Sequence, residues 1–303
     1  MRYSEDRRIG AQAIRESGHC SPCREVIWND RRRVPMANKW MMLLLAGTVA
    51  CDKASGRRPQ ELHSPESKVD ALAACRMPAN TTTILERDGA VLETWALRSV
   101  EIVTDDLPKD SAFLAYRAAI QRNGADVLRP VADSPVVRTE AEAEMWRNER
   151  FNNDLVFRGA VGSIRPISCL DALLFSRQAR RISQIDHPTE FLASVLRRET
   201  RAGADLVVVF GAGSEMFPPK EVYGFELVRR FLAEGWSYWY SIHNHTVQKR
   251  GDSLALGVPA PSTSDVEFYR GVSKEMGLDS LRVTNGFYTF NASINELGAL
   301  RAR

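Results

Sequence analysis

Apolar and polar residues recur along this chain with two different periods, and the periods mark its elements. Residues 81–103 (TTTILERDGAVLETWALRSVEIV) are two β-rich runs around Asp88-Gly89, which predicts a hairpin. Residues 108–123 (PKDSAFLAYRAAIQRN) begin with Pro, carry apolar residues at helical spacing and stop at Gly124. Residues 138–150 (RTEAEAEMWRNER) read as a polar surface helix. Residues 168–184 place Leu170, Leu173, Leu174 and Ala179 on one side of a helix that His187-Pro188 ends. Two strands follow, EFLASVLRR (190–198) and DLVVVFGAG (205–213). Pro218-Pro219 then opens a helix over 220–235, stopped by Gly235. The run WSYWYSIHNHT (236–246) is aromatic and β-branched, so it predicts a strand. Its Trp236, Tyr238, Trp239 and Tyr240 read as residues packed on both faces of a sheet. A loop of sixteen residues, 246–261, leads to Ser262 and a helix over 263–276. A last hairpin, 281–290, turns at Asn285-Gly286.

The second half thus runs helix, two strands, helix, strand, helix, hairpin. That order predicts an α/β (α+β) domain over 155–303, behind an N-terminal α+β region over 69–154. The length of 303 residues and the hydrophobic share of 44% support a real core. Residues 1–35 hold eight Arg against five acids and so carry the whole net charge of +3. The remainder is balanced, which argues against nucleic acid as a partner.

Residues 36–51 (MANKWMMLLLAGTVAC) are a start Met, one Lys, a short apolar run and small residues ending at Cys51. The run is too short to span a bilayer and has the proportions of a signal peptide. Its TVAC ending resembles a bacterial lipobox, which implies lipidation of Cys51, a membrane attachment through that lipid, and a place on the periplasmic side of a bacterial cell envelope. Residues 1–35, with Cys20 and Cys23, would then precede the true translation start. The polar stretch 52–68 reads as a tether. Cys75 and Cys169 remain, and an exported protein can pair them.

His243 and His245 are one residue apart on the predicted strand, so both imidazoles face the same side and Asn244 faces away. Two imidazoles and one carboxylate suit Zn²⁺ with a fourth position for water. No His follows His245, so an acid must be the third ligand. Ser262-x-x-Asp265 offers one at a helix start, where the same residues also make a capping box.

HxH on a strand followed by Ser-x-x-Asp at a helix start resembles the JAMM (MPN+) family of zinc metalloproteases and isopeptidases. The resemblance covers about residues 155–300. It implies a mixed sheet flanked by helices, layered as in the cytidine deaminases. It also implies zinc held by His243, His245 and Asp265, Ser262 as an oxyanion stabiliser, and an upstream Glu as general base. Among Glu190, Glu199, Glu215 and Glu221, the choice falls on Glu190, which follows a helix and opens an apolar strand as the family's Glu does. Ala193 stands where the family often has Gly, Thr246 where it usually has Pro, and the gap from His245 to Ser262 is longer. The expected function is zinc-dependent cleavage of a peptide or isopeptide bond in a protein or peptide substrate. The alternative is a lipid-anchored binding protein with a structural or vestigial metal site. A multi-metal phosphoesterase would need more histidines than the His63, His187, His243 and His245 that follow the signal segment.

Overall fold

The computed structural model describes residues 75–98, 106–123, 128, 137–201, 203–250 and 253–303. The expected segments 1–35, 36–51 and 52–68, with Cys51, lie outside the described residues. Among the described residues are ten strands and five α-helices. Eight strands form one sheet in the order β1-β2-β5-β4-β6-β9-β10-β3. Its members are β1 (Thr81–Arg87), β2 (Ala90–Arg98), β3 (Ser163–Pro166), β4 (Phe191–Thr200), β5 (Gly203–Ala212), β6 (Ser237–Asn244), β9 (Ser280–Thr284) and β10 (Tyr288–Ser293). Neighbours run antiparallel except β6 and β9, which are parallel. The architecture is therefore the expected mixed α/β (α+β) sheet with helices against it.

The helices are α1 (Ser111–Arg122), α2 (Glu140–Phe157), α3 (Cys169–Arg181), α4 (Phe225–Ala233) and α5 (Thr263–Met276). Two apolar clusters divide them between the faces. Phe113, Tyr116 and Ile120 of α1 and Leu170, Leu173 and Leu174 of α3 pack with Val195, Val208, Tyr240 and Ile242. Val156 of α2, Val228 of α4 and Val266, Tyr269 and Val272 of α5 pack with Leu192, Leu196, Val209 and Val283 on the other face. Residues 192 and 196 go one way and 193 and 195 the other, as the period of two requires.

The division expected at 154/155 falls inside α2, and β1 and β2 belong to the same sheet as the rest. The described residues, 75 to 303, belong to a single compact unit. The physical reason is the pairing of β2 along β5 from Val91↔Ala212 to Arg98↔Asp205, which makes the N-terminal hairpin an extension of the sheet. The helix expected over 220–235 is broken: a 3₁₀ turn (Lys220–Val222) precedes α4, and Gly224 between them is left-handed at φ 69°. A Cβ there would lie 2.4 Å from the Val209 Cγ1, so the break is built into the packing of this corner on β5. The expected loop 246–261 carries its own small hairpin, β7 (Gln248–Arg250) with β8 (Ser253–Ala255). Cys75 and Cys169 are joined by a disulfide. Among the described residues no helix is long and apolar enough to cross a membrane.

Candidate metal centre

The end of β6 and the start of α5 meet at one point. His243 is buried and His245 partly so, on the α5 face of the sheet, and their ring centroids are 5.0 Å apart. Asp265 enters from the first turn of α5. Its Oδ2 is 3.4 Å from the His243 Nε2 and 3.2 Å from the His245 Nε2. The ligand atoms of all three residues lie within 4.8 Å of one another, so together they can hold a metal ion. Tetrahedral N and O ligands at zinc bond lengths stand about 3.3 Å apart, and the two His–Asp distances match that spacing. The His243 Nε2 is buried with no hydrogen-bond partner, an arrangement that costs about 1–3 kcal/mol if nothing fills it. A cation among the three residues would satisfy it.

Asp265 is held in place by the capping box that the Ser-x-x-Asp spacing predicts. The Ser262 Oγ accepts the Asp265 N–H at 3.1 Å, and the Asp265 Oδ2 accepts the Ser262 N–H at 2.8 Å. The Ser262 hydroxyl also donates to Oδ2 at 2.7 Å. The side chain that caps α5 is therefore also the candidate ligand, and the two roles posed by the sequence do not exclude each other. Burial alone would raise the Asp265 carboxyl, but the two imidazoles outweigh it and hold it well below the usual carboxylate range. Burial alone would lower the His245 imidazolium. The Asp265 carboxylate, Glu190 and the Val258 carbonyl raise it instead to about 9.

Glu190 sits where the sequence choice placed it, and its neighbours explain why. Leu192 pairs with His243, so continuing the antiparallel register sets Glu190 across from His245 on the same face. Asn244 fixes that register from the opposite face. Its Oδ1 accepts the Phe191 N–H at 2.7 Å and its Nδ2 donates to the Thr189 carbonyl at 3.1 Å, one residue on each side of Glu190. The Glu190 N–H is bonded to the Met216 carbonyl at 2.7 Å. Burial raises the Glu190 carboxyl against the pull of His243 and His245, and the Asp265 charge raises it further. The other candidates lie elsewhere: Glu199 is exposed and paired with Arg197, and Glu215 and Glu221 are exposed near the 3₁₀ turn. His187 is exposed on its turn.

Three further contributors were not read from the sequence. Val258, in the return of the 246–261 loop, accepts from the His245 Nδ1 at 2.7 Å. The loop comes so close that a Cβ at Gly257 would lie 2.6 Å from the His245 Cβ. Tyr269 of α5 hydrogen-bonds the His243 Nδ1 at 2.7 Å and stacks on its ring. The spacing of Tyr269 one turn after Asp265 is the one signal that could have pointed to it. Finally, Glu149 of α2 accepts the Thr263 N–H at 2.7 Å and the Thr263 hydroxyl at 2.9 Å. Burial raises the Glu149 carboxyl, the Thr263 bonds lower it, and the Asp265 charge raises it again. No family model, curated protein or solved structure matches the chain.

Proposed function

We propose that this protein is a zinc-dependent hydrolase of the JAMM (MPN+) type that cleaves a peptide or isopeptide bond. The observation that carries this reading is the convergence of His243, His245 and Asp265 at zinc-ligand spacing beside a half-buried Glu190. His243, His245 and Asp265 would hold the ion. Zinc bound there would supply a polarised carbonyl and a water whose pKa is lowered to about 7.

The chain's own groups do the rest. Water adds to the scissile carbonyl carbon and gives one proton to Glu190, whose carboxyl is raised by burial and so holds a proton more readily than an exposed carboxylate. Glu190 passes that proton to the departing nitrogen as the C–N bond breaks. Ser262 stands at the N-terminus of α5, where the helix dipole is positive, and its hydroxyl turns about one bond to donate to the developing oxyanion. Met216, whose carbonyl accepts the Glu190 N–H, and Phe217 after it in the chain are 52% and 63% exposed and would present apolar surface to a protein or peptide chain.

The setting belongs to the same proposal: a lipid at Cys51 holds the enzyme on the periplasmic side of a bacterial envelope. The Cys75–Cys169 disulfide supports an oxidising compartment. The direct test is elemental analysis of the purified protein beside His243→Ala and Asp265→Ala. About one zinc per chain in the wild type, lost in both variants, is expected for a three-ligand site. A folded wild type that takes up no zinc would leave the lipid-anchored binding protein as the better reading.

A further inference from the structure

His245 is held from two sides, and both lead to the turn between β9 and β10. Its backbone N–H is bonded at 2.8 Å to the carbonyl of Thr284, the last residue of β9. Its ring is held by the loop that follows β6. Nδ1 donates to the Val258 carbonyl at 2.7 Å, which leaves Nε2 turned to Asp265 at 3.2 Å. A carbonyl can only accept, so the direction of the Nδ1 bond is fixed. Val258 lies in no strand, and a loop carbonyl can orient a ring only if the loop is itself held.

The loop crosses the end of the sheet at this point. Val247 and Leu256 are buried in the apolar cluster on the α3 side. Ala260 is buried in the cluster on the α5 side, and Val258 packs against it. Gly257 stands at the crossing. A side chain is excluded there, because a Cβ would lie 2.6 Å from the His245 Cβ and 2.8 Å from the Thr246 carbonyl oxygen. The Gly257 carbonyl is outside any ladder, and the Asn285 Nδ2 donates to it at 3.1 Å.

Asn285 is fully buried, and its amide has one orientation. Oδ1 accepts the Phe287 N–H at 3.1 Å and the Tyr288 N–H at 3.0 Å, which closes the β9–β10 turn. Two N–H groups demand oxygen on that side, so the amide nitrogen must face Gly257. α1 backs the same turn: the Tyr116 hydroxyl donates to the Asn285 carbonyl at 2.8 Å and the Arg117 Nη1 to the Gly286 carbonyl at 2.6 Å. The Asn285 amide therefore has two separable tasks. One atom closes the turn and the other ties the loop.

We infer that Asn285 is a positioning residue of the metal centre, which through Gly257 and Val258 holds the His245 ring with Nε2 toward Asp265. The inference rests on the metal-site reading above. It is tested on the full chain by zinc affinity from chelator competition and, metal-free, by solvent exchange of the His245 Nδ1 proton in ¹⁵N-histidine NMR. Asn285→Ser keeps a hydroxyl that can close the turn but is too short to reach Gly257. It should expose the Nδ1 proton to exchange and weaken zinc binding by about 10–100-fold, as when a ligand histidine loses its outer partner. Gly257→Ala leaves the turn whole and pushes the loop off His245, so the same two losses are expected. Tyr116→Phe loosens the turn from the α1 side without touching the loop. It should lower the melting temperature and leave zinc affinity and proton exchange as in the wild type.

An Asn285→Ser or Gly257→Ala variant with wild-type affinity and a protected Nδ1 proton would overturn the inference. So would an equal loss of affinity in Tyr116→Phe, which would make the effect one of turn stability. Should Asn285→Ser not fold, Asn285→Asp, which keeps the turn acceptor and lacks the amide donor, should lose the Nδ1 protection in its place, and retained protection there would count against the inference. A wild type that takes up no zinc, with the Nδ1 proton protected and that protection lost in Asn285→Ser, would instead sink the metal reading and leave the tether standing.

Discussion

Two glutamates, Glu93 and Glu190, lie against opposite faces of the same sheet in opposite electrostatic states. Glu93 is 1% exposed on the α3 side. Its Oε2 accepts from the Arg177 Nε at 3.0 Å and the Trp95 Nε1 at 3.2 Å, and its Oε1 is paired with the Arg177 Nη2. Burial alone would raise its carboxyl, but Arg177 and Trp95 hold it below the usual carboxylate range. On the α5 side, no described residue hydrogen-bonds the Glu190 carboxylate, and burial raises its carboxyl. A buried acid that stabilises a fold has its valences closed by the protein. One proposed to serve chemistry, as Glu190 is, is left without such partners, with room for a reacting group.

The sharpest way to break this comparison is to remove the acidity of each glutamate in turn. Glu190→Gln should keep the zinc and lose about 10²–10⁴-fold in hydrolysis of a peptide substrate, with little change in melting temperature. Wild-type turnover in that variant would remove Glu190 from the mechanism. On the other face Arg177→Met should leave zinc content alone and cost about 3–5 kcal/mol of unfolding free energy, because it strands the Glu93 carboxylate. Replacing both partners by apolar residues should recover much of that loss. The sign with pH follows from the lowered carboxyl. The Glu93 contribution is present in full above the ordinary carboxylate range and is lost as pH falls through the folded-state value, so acid unfolding of Arg177→Met should show a shallower dependence than the wild type. The smallest of these effects is expected for Cys75→Ser with Cys169→Ser. Denaturant unfolding should report a loss of about 2–4 kcal/mol with the metal stoichiometry unchanged, since the disulfide lies on the α3 side.

The parts of this molecule that were legible in the sequence are those set by neighbours along the chain. The bounds 263–276 of α5 follow from the Ser262 cap and from Gly277, left-handed at φ 67°. The Asp88-Gly89 turn has positive φ at both residues, 52° and 75°, as a two-residue hairpin demands. α1 begins at Ser111 because Asp110 accepts the Phe113 N–H, three residues after the Pro expected to start it. α2 was read too short because its apolar tail, including buried Val156, lies beyond the polar pattern that suggested a surface helix.

The candidate site divides along the same line. His243, His245, Ser262 and Asp265 are close in sequence and carry a recognisable spacing. Glu190 was a choice among four acids because its place depends on a pairing with β6, some fifty residues away, that no local pattern reveals. Glu149 reaches Thr263 across a separation of 114 residues, which no local pattern announces.

The Cys75–Cys169 bond also determines where a mechanical load enters the domain. β1 is an edge strand, paired only with β2, and its residues are nearly all exposed. A pull delivered directly to its first residue would peel the hairpin open one hydrogen bond at a time. Cys75 stands ahead of β1 and is cross-linked to the first turn of α3, whose side chains are almost wholly buried. Tension arriving from the N-terminal side is thus taken up by that helix, and the edge of the sheet stays slack.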